Sequence, residues 1–195
     1  MYPTPKLPMK KLLLALLIAA SPAFAQAPAA TEPPAPGAAV TPPAAKAKPL
    51  GVPEKKFIKD SLEGMFFVME LIGKTKTGAK VEVTKTESAA LKADLDKVWA
   101  EVAGVASTNN EKIPTELAGG DKGKAERLGK EKEKFDKEFY KLVNKEVERL
   151  QRMFESYGKS GQTPEIKTIA TNWEPTLKGH VKKLDAAEKE VSKAK

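Results

Sequence analysis

The chain has 195 residues, with 34 Lys and Arg against 26 Asp and Glu, a formal net charge of +8, one histidine and no cysteine. That length holds one ordinary domain with an appended tail, not two sizeable cores. Without cysteine there is no disulfide, thiolate nucleophile, Cys-ligated zinc, iron–sulfur cluster or acyl-Cys lipid anchor, and a single histidine excludes HExxH-type metal sites within one chain.

The first 25 residues have the form of a secretory signal. Lys10 and Lys11 precede Leu12–Ala20, an apolar run too short for the roughly 20 residues of a spanning helix. Ala23-Phe24-Ala25 then supplies a small-x-small cleavage site before Gln26. Met9 begins a tidier leader than Met1. Cleavage after Ala25 removes three lysines and no acid, which leaves a mature net charge of +5. The pattern predicts an exported protein, periplasmic or outer-membrane-associated, with no transmembrane segment in the mature chain.

Residues 26–53 are almost all Ala, Pro, Gly and Thr. The prolines remove backbone donors and hold their predecessors extended, and few bulky apolar groups are present to offset the entropy of ordering. This stretch is expected to be a disordered tether, about 3 Å long per residue where it is polyproline-like. The folded domain is therefore expected over residues 54–195.

Helical periodicity begins at Phe57. Ile58, Leu62, Met65, Met69 and Ile72 recur at steps of three and four, and Met65–Ile72 is apolar all round except for Glu70. A run of that kind suits the most buried helix of a bundle, and a short strand or a patch exposed to a partner are the alternatives. A second helix is predicted over 79–106, with Thr84, Ser88, Leu91, Leu95, Val98, Val102 and Val105 as a heptad-like seam. Residues 107–122 are rich in turn formers and read as a loop. One continuous third helix is expected over 124–157, with Leu128, Phe135, Phe139, Leu142, Leu150, Met153, Phe154 and Tyr157 inward, ending at Gly158-Lys159-Ser160-Gly161. Thr163-Pro164-Glu165 starts a fourth, which buries Ile166, Ile169, Trp173, Leu177, Val181, Leu184 and Val191 and should break or kink near Glu174, before Pro175. Four such stripes predict an all-α fold, an antiparallel four-helix bundle.

Three elements carry a family resemblance: Ile113-Pro114 ahead of the third helix, Phe135-Asp136 with Phe139, and Pro175-Thr176-Leu177-x-x-His180. On these, residues 57–192 resemble the exported ferritin-like helical proteins labelled Domain of Unknown Function 4142, often called outer membrane proteins. The resemblance implies a ferritin-like bundle, an exported location and no established reaction. Related chains often carry further histidines in the second and third helices, where this chain has Lys92 and the region of Val147. The missing histidines weigh against a metal role.

The residues themselves point the same way. Ferritin-like oxidases need inward glutamates and two Glu-x-x-His motifs, whereas Leu177 sits three residues before His180. Glu70 and Glu146 remain candidate inward carboxylates. His180 is expected to be capped or partly exposed and to meet a polar group on a neighbouring helix, Glu146 being one candidate, so that it sets how the last helix docks. No G-x-S-x-G, P-loop or dinucleotide fingerprint occurs in the required context. Asp121–Lys137 alternates charges and reads as a solvated face, with a ligand-binding stripe as the alternative. All basic residues but Arg127, Arg149 and Arg152 are lysines, which disfavours specific nucleic-acid readout.

The reading is of a non-enzymatic exported bundle with an envelope-associated structural or binding role. No catalytic residue, cofactor or metal is expected. The expected partners are envelope proteins or an anionic envelope surface. Two alternatives stay open: a periplasmic holdase-like chaperone using an exposed Met65–Met69 patch, and a degenerate ferritin-like metal or redox protein.

Overall fold

The computed structural model describes residues 49–193. The expected signal (1–25) and nearly all of the expected tether lie outside them. Five helices make up the described part: α1 (Val52–Gly78), α2 (Glu82–Thr108), α3 (Gly119–Lys130), α4 (Phe135–Ser160) and α5 (Pro164–Lys193). No strand occurs among the described residues.

Helix α1 starts two residues inside the stretch expected to be tether. Pro53, in its first turn, occupies a position where no intrahelical donor is needed. Glu54, Phe57 and Ile58 are already buried there. Met65, Phe67, Val68, Leu71 and Ile72 follow, so the apolar run faces the interior and no Met65–Met69 patch is exposed. The only large hydrophobic side chain fully open to solvent among the described residues is Val52, at the start of α1.

Helix α2 buries the whole predicted seam, Thr84 to Val105, at 4% exposure or less. It ends in a Schellman motif. Glu111 N–H donates to the Ala106 carbonyl at 2.8 Å and Asn110 N–H to that of Ser107 at 3.2 Å, with Asn110 left-handed at φ 56°. Asparagine tolerates this conformation better than other residues with a Cβ.

The expected third helix is two helices. Residues 131–134 (Glu-Lys-Glu-Lys) separate α3 from α4. All four are charged and none is buried, so no burial holds the backbone in helical register there. The helix α3 packs Ala125 and Leu128 onto α1 and α4. Helix α4 then restarts with Phe135 against the last turn of α1 at Gly78, and the Asp136 carboxylate accepts the Lys80 N–H at 3.1 Å. The loop expected over 107–122 is correspondingly shorter, because α3 begins at Gly119.

Helix α5 runs unbroken through Pro175. The break expected near Glu174 is absent, because Leu177, His180 and Leu184 beyond the proline and Ile166, Ile169 and Ala170 before it are all buried on the rest of the molecule. Tertiary packing here outweighs the missing backbone bond. The core lies between α1, α2, α4 and α5, each in contact with two of the others in the order α1, α2, α5, α4 and back to α1. Side-chain pairs tie opposite ends of neighbours together: Tyr157 to Glu54, Asn144 to Glu188, and Gln151 to Glu174.

Candidate functional site

His180 is 4% exposed, not partly exposed as its sequence context suggested. Its Nε2 lies 3.0 Å from Oδ2 of Asp94 on α2. Asp94 also receives Lys97 Nζ at 2.9 Å, one turn further along α2. The Lys97 hydrogen bond first, and the His180 bond second, hold the Asp94 carboxyl below the usual aspartate range. The anionic carboxylate accepts from Nε2–H, and Nδ1 is buried without a partner. Leu177 and Leu184 bracket His180 on α5, as Leu91 and Leu95 bracket Asp94 on α2, and all four are buried. The result is one charge-assisted bond in an apolar seam.

Glu146, the partner candidate read from the sequence, is engaged elsewhere. It accepts from Arg149 Nη2 at 2.6 Å and Nε at 2.9 Å, and Arg149 also donates to the Asp60 carbonyl on α1 at 3.1 Å. This pair sits over Gly64, whose missing side chain makes the room. Glu70 is exposed, and Lys92 pairs with Asp96 at 2.7 Å on the outside of α2. Among the described residues no group of three or more His, Asp or Glu side chains converges as a metal site. The His180–Asp94 pair resembles two members of a hydrolytic triad, but among the described residues nothing bonds the free ring nitrogen and no nucleophile completes it.

Two buried tyrosines also carry polar groups into the interior. At the end of the core where α1 begins, Tyr157 donates to Glu54 Oε1 at 3.1 Å. Burial, and then the facing Glu54 carboxylate, push the phenol up to about 12. Tyr140, fully buried near the start of α4, is also raised, chiefly by burial, with Glu87 and Asp136 adding negative charge. A surface groove of about 490 Å³ lies between α1 and the segment leading into α3. Phe66, Pro114 and Leu117 line it, and exposed Lys59, Glu63 and Lys112 form its rim, a mixed surface without a buried polar group to orient a ligand.

Sequence reasoning singled out His180 but missed its partner Asp94, and missed Glu54 and Tyr140 among the buried side chains. Asp94 lies three residues after Leu91, beside the seam, and that spacing is the one available signal.

An all-helical domain with an apolar interior crossed by isolated polar bonds is the class these features define. The chain belongs to the family described as a domain of unknown function, DUF4142, which matches residues 41–187. The match begins upstream of α1, within the expected tether. A solved structure, a DUF305 fragment from Deinococcus radiodurans, is similar in fold with a TM-score of 0.64 at 10% identity, covering 73% of this chain and 99% of the fragment. No curated protein matches the sequence.

Proposed function

We propose that this is a non-enzymatic protein exported to the cell envelope, where it has a structural or binding role, and that α1, α2, α4 and α5 form an antiparallel bundle of ferritin-like type with α3 added on the outside. The observation that carries the reading is His180 tied to the single carboxylate of Asp94, between leucine layers. A ferritin-like di-metal centre needs several convergent carboxylates at such a level, and a hydrolase needs a nucleophile beside the imidazole. Neither set of side chains is assembled around this histidine. The pairing of helix ends supports the antiparallel arrangement. The Lys–Leu–Ala-x-Ala pattern of residues 10–25 supports export. Among the described residues no helix is long and apolar enough to cross a membrane. The holdase alternative has lost the exposed Met65–Met69 patch on which it stood.

Two measurements test the proposal. Intact mass of the protein recovered from the envelope compartment of an expressing bacterium should correspond to a chain beginning at Gln26, and retention of Leu12–Ala20 would defeat export. Iron or zinc should leave the melting temperature unchanged, since a ligand that binds only the folded state must raise it. A metal-dependent rise that disappears in His180→Gln would replace this reading with the ferritin-like metal protein.

A further inference from the structure

Helix α3 differs from its neighbours in how little holds it. Four of its twelve residues are glycine, and its N-cap, Ala118, has no side-chain acceptor. An isolated helix of that length is marginal in water, and each interior glycine in place of alanine costs about fivefold in helix population. The other four helices have 26–30 residues and bury seven or more side chains each. Helix α3 buries two, Ala125 and Leu128. Its polar bonds stay within its own turns. Lys124 pairs with Asp121 at 2.7 Å, and Arg127 Nε donates to the Gly123 carbonyl at 3.3 Å. Among the described residues no hydrogen bond or ion pair joins α3 to another helix. The segments on either side of it, 109–118 and 131–134, bury no residue.

What α3 lies on is apolar. The Lys124 ammonium sits 5.5 Å from the centroid of the Phe67 ring, and Phe67 is 3% exposed. Gly129 faces the methylene stem of Lys74, two turns further along α1. On the other side, Leu128 and Leu142 of α4 line one cleft. The ring of contacts α1, α2, α5, α4 closes without α3. We propose that α3 is a lid, which detaches from α1 and α4 and unwinds as a unit while the four long helices stay folded, and which bares Phe67 when it does so. Segments with few buried apolar contacts open well below the free energy of global unfolding. Opening here gives up two apolar anchors and one ammonium–ring contact, and the flanking segments flex without giving up any. The Phe67 face therefore exists in a covered and a bared state, and the weak helix α3 sets the balance between them. The inference is independent of the export and envelope readings, so each can fail alone.

The chain has no cysteine, so a thiol introduced into it is the only one. The test is labelling of single-cysteine variants of the full chain by a thiol reagent, from zero to low urea. Ala125→Cys and Phe67→Cys probe the two sides of the α3–α1 contact, and Ala170→Cys, 0% exposed on α5, reports global unfolding. The first two should label about a hundredfold faster than the third without urea. Their rates should hardly change with urea, because little surface is exposed on opening, whereas labelling of Ala170→Cys should climb steeply. Hydrogen exchange of the unsubstituted chain makes the same comparison free of any effect of substitution. The amides of α3 should be about a hundredfold less protected than those in the middle turns of α1, α2, α4 and α5. Adding Gly120→Ala/Gly123→Ala, where a Cβ meets nothing within 4 Å, should slow the labelling of Ala125→Cys about tenfold. Labelling of Ala125→Cys that tracks Ala170→Cys, or α3 amides that exchange only with the core, overturns the lid. So does Phe67→Cys that labels only on global unfolding, since the ring then stays covered, and so does an alanine pair that leaves the rate unchanged.

Discussion

Two hydrogen bonds, the part-buried His180–Asp94 and the buried Tyr157–Glu54, decide what single side chains do in this protein. The His180–Asp94 bond joins an imidazole to a carboxylate held anionic by Lys97. A hydrogen bond to a charged group contributes about 1.5–3 kcal/mol. A urea-denaturation double-mutant cycle of His180→Gln and Asp94→Asn should return a coupling in that range, and a value near zero would mean that the leucine layers alone seat α5. Asp94 has a lowered carboxyl pKa, so its stabilisation is present above the unfolded value and is lost as pH falls through the folded one. Tyr157 has the opposite sign. Its phenol is raised from 10.0 to about 12, so the stabilisation is complete below pH 10 and is lost as pH climbs to 12. The loss should be about 2–3 kcal/mol. Lysines deprotonate in the same window, so the readout is the difference between wild type and Tyr157→Phe, whose stability should fall less between pH 10 and 12. Identical curves would show that Tyr157 does not stay in its buried position against Glu54 in solution.

Helices in this chain meet where side chains are missing as much as where they are present. Gly78 closes α1 against the ring of Phe135, which a Cβ would overlap. Phe135 is itself 1% exposed and anchored by α4, so it has little freedom to retreat. Gly78→Ala should therefore destabilise by about 1–3 kcal/mol, the usual cost of overpacking. Gly73, one turn earlier in the same helix, has nothing within 4 Å of a built Cβ. Gly73→Ala should stabilise by about 0.5–1 kcal/mol, because alanine loses less backbone entropy in a helix. Thermal melts of the two variants give opposite signs if the α1–α4 contact is as described, and equal signs if it is not. The same contact accounts for the gap between α3 and α4. Phe135 is drawn to α1, while residues 131–134 bury nothing that would keep the backbone helical across the turn.

For the whole molecule, stability should begin at α1. Residues 26–48 offer hardly any bulky apolar side chain, so removing them should leave the melting temperature within about a degree or two. Extending the deletion through Ile58 removes Glu54, Phe57 and Ile58, all buried, and Phe57 stacks on Tyr157 at a centroid distance of 4.3 Å. Each apolar side chain lost from the core costs about 1.5–3 kcal/mol, so the longer deletion should lower the midpoint by many degrees. If the shorter deletion has the same effect, the tether packs on the domain.

Much of the fold was legible in local pattern. The seam of α2, the inward face of α4 and the apolar run of α1 follow from a period of 3.6 residues and the exclusion of apolar surface from water, both of which act over neighbouring residues. The start of α5 was legible for a related reason, since Thr163-Pro164 satisfies a helix end by itself. What the pattern could not hold was any choice between distant partners. Leu128 and Phe135 are seven residues apart, as in one continuous helix, and nothing in Glu131–Lys134 marks the break, which is made by the docking of Phe135 on α1. Pro175 predicts a break or a kink in α5, and burial on both sides carries the helix through it without a break. The sequence read His180 as capped or partly exposed and offered Glu146 as its partner. The order in which the helices pack set Asp94 opposite it instead, because a hydrogen bond of 3.0 Å depends on the position of two helices in space, and spacing along one helix contains no information about the other.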